Sequence, residues 1–378
     1  MVKKKSDYIN VILFLIFIYG IALANIFVKD KKFSEMENRL LAQLPEFSLS
    51  EIGSGKYMVD YETYITDQFV ARDIFVNVKS VSEKALGKRV NNGVYYGEDG
   101  YLIEQFVSVD EELLKKNTQA IESFAEGIQA DVSFAVIPGS VAINQEKLVS
   151  VLPDLNQKKL IDEIYDSLAG SKVTVVDVYS SLWEHRNEEL FYRTDHHWTS
   201  LGAYYGYRAY AETVGLVPTG LEQYDKQVRS EEFYGTLYSK AGVFWIQPDC
   251  ITTYVDEEGI IVEHIVGETT QTGGLYDDRK LSTKDKYAMF LGGNQPLAII
   301  KTGKQELPKL LVIRDSYSDS LAPFFTEHYS EIYMWDFRYN KEDVSDFIEE
   351  NGIEQVFICY SIDNFQEDTN ITFVLGRE

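Results

Sequence analysis

The stretch Lys309–Phe337, KLLVIRDSYSDSLAPFFTEHYSEIYMWDF, reads as strand, turn, helix and strand in direct succession. Leu310–Ile313 is a short apolar run, Arg314–Ser318 a polar turn, and Glu331–Trp335 the next apolar run after an intervening helix. Strands joined through a helix pair in parallel, and strands without a polar face belong in a sheet covered on both sides. The same alternation extends outward in both directions. Glu111–Ile128 has helical periodicity, Val132–Ile137 is an apolar strand, Leu160–Leu168 a helix and Val173–Val178 a strand. On the other side, Lys341–Asn351 reads as a helix and Gln355–Tyr360 as the last strand. The expected class is α/β, a parallel sheet flanked by helices, and it places Ser316 just beyond the carboxyl end of a strand. Sites form at that edge of open α/β sheets, and a helix start there offers N–H groups to a developing oxyanion.

The flanks differ in texture. Leu216–Leu307 holds short β-type runs among charged loops and reads as a mostly β insertion, about 216–307, within a body spanning 92–378. Ahead of that body, Val94–Glu104 contains an Asp99-Gly100 turn between apolar runs, a hairpin signal. Residues 29–91 form a charged connector with weak helical periodicity in SEMENRLLAQLPEF and in Tyr57–Lys88. Tyr8–Val28 is uncharged and almost wholly apolar. At about 1.5 Å per residue it reaches across a hydrocarbon core of about 30 Å. Lys3–Lys5 precede it, so residues 1–28 read as a cytoplasmic tip and transmembrane anchor with the rest outside. Ala22-Leu23-Ala24 resembles a signal cleavage site, but the apolar run continues past it, which favours an uncleaved anchor. A net charge of −24, from 36 basic and 60 acidic residues, argues against nucleic acid as a partner. Cys250 and Cys359 are far apart, in no CxxC pattern; a disulfide and two free thiols both fit.

Chemistry concentrates in Phe191–Gly206, FYRTDHHWTSLGAYYG, which sets Asp195, His196, His197 and Trp198 side by side in a chain with five histidines. Imidazole exchanges protons near neutrality, and a carboxylate fixes its tautomer. Asp195 and His197, two apart, project to one side of an extended segment. They supply a base and its orienting acid, and a helix then starts at Thr199 or Ser200. Ser316 supplies the nucleophile in type, with helix capping as its plain alternative. Asp-His-His is also a set of ordinary metal ligands, but no regularly spaced further ligand accompanies it, so no metal and no cofactor is expected. His196 is expected to face away and serve structurally. Trp198, Trp245, Tyr234 and Phe244 are candidates for a sugar surface, with core packing as the alternative for each.

With these blocks in view, the chain resembles the DHHW family of Gram-positive bacteria and, more widely, the SGNH-type periplasmic proteins that acetylate alginate. The resemblance rests on ENRLLAQLPEF, YITDQFVARD, GEDGYL, TDHHWT, FYGTLYSKAG, KYAMFLGGNQP, VIRDSYSDSLAPFF and DFRY, in that order. It implies a permuted SGNH hydrolase-like fold in which the acid–base pair Asp195 and His197 precedes the nucleophile Ser316. It further implies an oxyanion site drawing on a Gly and an Asn, for which Gly293 and Asn294 are the candidates, with a structural Gly-Gly-Asn turn as the equal alternative; Arg338 either aids anion stabilisation or pairs with an acid. Arg314 stands where the usual Gly-Asp-Ser block has glycine. The implied activity is acetyl transfer to a cell-surface polysaccharide, fed by a multipass membrane acyltransferase. An acetylesterase and a non-catalytic carbohydrate-binding protein are the alternatives.

Overall fold

The computed structural model describes residues 2–34, 39–148 and 156–376. The chain divides into two compact units, Met1–Asn91 with Gly242–Trp245, and Asn92–Ala241 with Ile246–Glu378. In the first, a helix spans Val2–Phe27, and its segment Tyr8–Phe27 has a mean hydropathy of 2.4 with none of it buried. That segment is long and apolar enough to cross a membrane. The Lys3–Lys5 side chains, on which its expected orientation rests, lie outside the described residues, as do 35–38 of SEMENRLLAQLPEF. Where SEMENRLLAQLPEF is described it is not helical: Arg39–Leu40 pairs antiparallel with Phe33–Ser34. Asp67 ties it down, accepting from Arg39 Nη1 at 2.9 Å and from the Ala42 N–H at 2.8 Å. Helices follow at Lys56–Asp67 and Arg72–Ala85.

The second unit is built, among the described residues, on an eight-stranded sheet. In chain order its strands are β1 (Asp131–Ile137), β2 (Thr174–Val175), β3 (Ile261–Val266), β4 (Thr269–Gly273), β5 (Leu297–Lys301), β6 (Lys309–Arg314), β7 (Glu331–Trp335) and β8 (Gln355–Ser361). Their order across the sheet is β4-β3-β5-β7-β6-β8-β1-β2. From β7 to β2 every pairing is parallel; β4, β3 and β5 add on by antiparallel pairing. β6 therefore lies between parallel neighbours, with Ile313 opposite Trp335 on one side and Ile358 on the other.

Three helices cover the sheet near the site or pack behind it: α1 (Glu111–Gly127), α2 (Ser200–Thr213) and α3 (Tyr317–Phe325). Side chains alternate across a strand, so Phe357 and Tyr360 of β8 point to opposite faces. Phe357 packs at 4.4 Å from Tyr210 of α2 and 6.0 Å from Phe325 of α3. On the other face, Phe134 of β1 meets Phe365 of the helix Ile362–Glu367 at 5.1 Å. The sheet is covered on both sides, as apolar strands require.

Some elements differ from the sequence reading. Val173–Val178 is extended only at Thr174–Val175; the Asp177 carboxylate accepts from the Ser180 N–H at 2.9 Å and starts a helix, Val178–Glu184. The region 216–307 contributes to two sheets. β3, β4 and β5 widen the main sheet, while Gln227–Phe233 and Asp249–Thr253 form a separate antiparallel pair. β5 joins because Leu297, Ala298 and Ile300 are apolar and buried in the core. Cys250 is exposed, Cys359 is buried, and both are free thiols.

Candidate active site

The segment 191–198 closes on itself as a tight loop, with Phe191 bridged to Trp198. Asp249 pins it from beneath, accepting from the Arg193 N–H at 2.9 Å, the Thr194 N–H at 2.8 Å and the Thr194 hydroxyl at 2.6 Å. Thr199 then caps α2, its hydroxyl accepting from the Gly202 N–H at 3.2 Å. Trp198 is fully buried and donates its indole N–H toward the Tyr317 carbonyl at 2.9 Å and Ser320 Oγ at 3.0 Å. Its role is therefore corrected: it braces the loop carrying the histidines against the helix carrying Ser316, and offers no face to a sugar. Gly206 makes room for it, since a Cβ there would lie 2.7 Å from Trp198 Cη2.

Asp195, His197 and Ser316 come together. His197 donates its backbone N–H to Asp195 Oδ1 at 3.0 Å and holds the same oxygen through Nδ1 at 2.6 Å. Its Nε2 lies 2.8 Å from Ser316 Oγ. Asp195 Oδ2 accepts from the Thr236 N–H at 2.8 Å and the Thr236 hydroxyl at 3.0 Å. Gly235 permits that approach, because a Cβ on it would meet the Asp195 carboxylate at 2.3 Å. Ser316 caps nothing with its side chain; the Asp315 carboxylate takes the Tyr317 N–H at 3.0 Å instead. Asp315 also accepts from the Ser361 N–H at 2.8 Å, the Ser361 hydroxyl at 2.7 Å and Asn364 at 2.7 Å. The turn after β6 is thereby locked to the end of β8.

Electrostatics suit a base at His197. Burial pushes its pKa below the ordinary value, His196 adds to that, and Asp195 opposes it, so the imidazole is held neutral. Burial works against ionised Asp195, but the two imidazoles and the hydrogen bonds from His197 and Thr236 outweigh it and hold the carboxyl well below its usual range. Tyr287, which no sequence pattern singles out, stacks flat on His197 at 3.8 Å and 6°. Its hydroxyl donates toward the Ser316 carbonyl at 3.1 Å and Ser320 Oγ at 3.0 Å. Tyr287 and Thr236 both lie in the blocks KYAMFLGGNQP and FYGTLYSKAG, but neither residue type announces such a role alone.

The remaining candidates separate. Gly293 adopts φ +94 and its N–H is engaged by the Phe290 carbonyl at 3.1 Å, which removes it as an oxyanion donor. The first N–H groups of α3 are also occupied: Tyr317 by Asp315 Oδ1, Ser318 by the Asp315 carbonyl and Asp319 by the Ser316 carbonyl. Asn294 Oδ1 accepts from Arg314 Nη1 at 3.2 Å and Arg338 Nη2 at 3.3 Å, which turns its amide nitrogen the other way. Arg338 is paired through two nitrogens with Asp336, at 2.9 and 2.6 Å. Arg314, in place of glycine, is fully buried and faces Asp319 at 2.9 Å and Asp336 at 3.8 Å. Trp245 and Phe244 belong to the N-terminal unit, where Lys84 lies 4.4 Å over the Trp245 ring. Tyr234 packs on Tyr238 at 4.5 Å. An apolar hollow of about 930 Å³ in that N-terminal unit is lined by Phe17, Ile21, Tyr61 and Phe69 and by none of the triad residues.

Asp195, His196 and His197 also bring potential metal-ligand atoms within 4.8 Å of one another. The two nitrogens of His197 are engaged by Asp195 and Ser316, and His196 Nδ1 by Thr236 Oγ1 at 2.7 Å. Ligation by His197 would require one of its two contacts to break.

The model of the DHHW protein family matches residues 93–335. A solved DHHW family protein from Eubacterium siraeum is similar over 75% of this chain and 95% of its own, with 25% identity and a TM-score of 0.63. Bacillus cereus PatB1, solved with a sulfonyl adduct, shares the fold over 74% of this chain and 97% of its own, with 17% identity and a TM-score of 0.61. A probable alginate O-acetylase, AlgJ of Pseudomonas fluorescens, is 25% identical over 172 residues, 43% of this chain and 43% of that protein. The match thus spans less than half the length of that relative.

Proposed function

The chain belongs to the DHHW family, and from that premise we propose that it is a membrane-anchored, extracytoplasmic O-acetyltransferase acting on cell-surface or exported polysaccharide. The observation that carries the reading is the unbroken chain Ser316 Oγ, His197, Asp195, with contacts of 2.8 and 2.6 Å. The name of the AlgJ relative, an alginate O-acetylase, supports the acyl class. The order of the three residues, acid and base before nucleophile, fits a permuted SGNH fold.

Ser316 Oγ attacks the carbonyl carbon of an acetyl donor while His197 Nε2 takes its proton, and Asp195 stabilises the imidazolium. The imidazolium protonates the leaving group as the carbonyl re-forms, leaving acetyl-serine. A sugar hydroxyl then gives its proton to His197 and attacks the acetyl carbon. The C–Oγ bond breaks and the proton returns to Ser316. The developing oxyanion meets the Ser316 N–H and the outward amide of Asn294, whose orientation Arg314 and Arg338 hold. Outside the membrane the acetyl group must be delivered, and a multipass membrane acyltransferase is the proposed supplier. No cofactor takes part.

A serine-directed sulfonyl fluoride should label wild-type protein on Ser316 and leave Ser316→Ala unlabelled. Turnover of a small acetyl ester should vanish with Ser316→Ala. Asp195→Asn should keep a residue of activity, with a loss on the order of 10⁴ by analogy with the protease triad. Full turnover in Ser316→Ala would remove Ser316 as the nucleophile, whereas a wild-type protein that is neither labelled nor active would favour a non-catalytic carbohydrate-binding protein.

A further inference from the structure

The sequence assigns His196 a structural place, yet its hydrogen bonding leaves it with a task. The Thr236 hydroxyl has one proton and lies between His196 Nδ1, at 2.7 Å, and Asp195 Oδ2, at 3.0 Å. Ionised Asp195 can only accept, so the hydroxyl proton goes to it and the oxygen's lone pair faces His196. Nδ1 of His196 must then carry hydrogen. A neutral imidazole with its proton there keeps a lone pair at Nε2, and among the described residues that nitrogen has no hydrogen-bond partner. The His196 side chain is 32% exposed and its ring lies 3.8 Å from that of His197.

The ring borders an open cleft of about 380 Å³, shared with Tyr317, Glu104, Asp363, Asn364 and Glu367; its lining stops short of the triad at His196 and Tyr317, whose rings lie 3.8 and 5.0 Å from that of His197. Its rim is acidic. The cleft's ammonium, Lys240, is already ion-paired with Glu104. The Asp363 carboxylate makes no hydrogen bond or ion pair among the described residues. Burial, together with Glu104 and Glu367, pushes its carboxyl up to about 7. A group poised there can either donate to or accept from a sugar hydroxyl.

We propose that this cleft is the acceptor subsite, that His196 Nε2 holds an acceptor hydroxyl next to the one that reacts, and that the glycan is uncharged or cationic. The inference rests on the acetyl-transfer reading of the triad. His196 takes no proton in it. By holding one hydroxyl of a vicinal pair, it presents the other to His197 and the acetyl carbon on Ser316. A polyuronate would bring carboxylates against Glu367 and the ionised fraction of Asp363, with Lys240 already taken by Glu104, and that repulsion disfavours it.

The test is the partition of acetyl-serine between sugar and water, measured on the full chain in detergent. 4-Nitrophenyl acetate is the donor, with cello-oligosaccharide, its 6-amino-6-deoxy cationic form and oligogalacturonate as acceptors, each of which carries a vicinal 2,3-diol. Wild type should acetylate the first two at least tenfold faster than the third. In His196→Ala the ratio of sugar transfer to hydrolysis should fall at least tenfold, whatever happens to the rate of acylation. Structural damage alone would slow both routes together. Glu367→Lys, on the exposed rim, should shift the acceptor preference toward oligogalacturonate. An unchanged ratio in His196→Ala, equal use of oligogalacturonate by wild type, or transfer to water alone would overturn the inference with acetyl-serine chemistry intact. Failure of wild type to form acetyl-serine would remove the proposed function and this inference together.

Discussion

Thr236→Val is the sharpest probe of how the triad is held. The substitution preserves shape and the backbone N–H, and removes one of the hydrogen bonds that Asp195 accepts. That carboxylate keeps the Thr236 N–H at 2.8 Å on Oδ2, and the two His197 contacts at 3.0 and 2.6 Å on Oδ1. A hydrogen bond to a charged group contributes about 1.5–3 kcal/mol. Because Oδ2 retains one donor, the lower end applies, about 1.5 kcal/mol. If that bond is needed in full to stabilise the imidazolium, kcat/KM falls roughly tenfold, since about 1.4 kcal/mol is one decade. The assay is initial-rate hydrolysis of a small acetyl ester, with thermal unfolding to verify that the variant is folded. Thr236→Ser restores the hydroxyl and should recover most of the rate. A Val variant within twofold of wild type, or a Ser variant as slow as Val, would refute the reasoning.

The base must be neutral to act, and burial with His196 lowers the His197 pKa. Activity should therefore be full above that pKa and be lost as pH falls through it, with the acid limb of kcat/KM centred below the ordinary 6.5; a midpoint above 6.5 would contradict the assignment. Gly206→Ala forces a methyl to within 2.7 Å of the Trp198 ring, an overpacking cost of about 1–3 kcal/mol, so Tm should fall and ester turnover with it; an unchanged Tm would show that α2 and the indole separate freely. Dialysis against a chelator should leave ester turnover intact, because the His197 nitrogens serve Asp195 and Ser316. Stoichiometric zinc whose removal abolishes activity and whose return restores it would favour metal ligation instead.

The parallel core was legible because its strands carry no polar face. Leu310–Ile313, Val132–Ile137 and Gln355–Tyr360 read as buried strands and lie adjacent, as β6, β1 and β8. The edge was not legible for the opposite reason. β4, Thr269–Gly273, is exposed throughout, and its polar sequence carries no burial signal. Local apolar pattern also misled at Val173–Val178, where one aspartate ended the strand by capping a helix. Such competition between side chain and ladder is decided by a single hydrogen bond, which residue averages do not record.

The site divides along a similar line. Asp195 and His197 are neighbours in sequence, so their pairing is local geometry and could be read directly. The 119-residue separation between His197 and Ser316 needed the fold to close it. What no pattern announced is the supporting layer: Thr236, Tyr287 and Asp249 are ordinary residue types, chosen by position and not by chemistry. Arg314 shows why this layer matters. Replacing the expected glycine with a buried cation looks disruptive until Asp319, Asp336 and Asn294 are seen around it. All three meet Nη1, while Nε and Nη2 have no hydrogen-bond partner among the described residues; a buried guanidinium costs several kcal/mol unless partnered, so these contacts are the ones that hold it. The outcome is mechanical: the charge cluster ties β6 and α3 to the Asn294 turn, and so couples the orientation of that amide to the position of Ser316. Glycine in its place would leave Asn294 held through Arg338 alone.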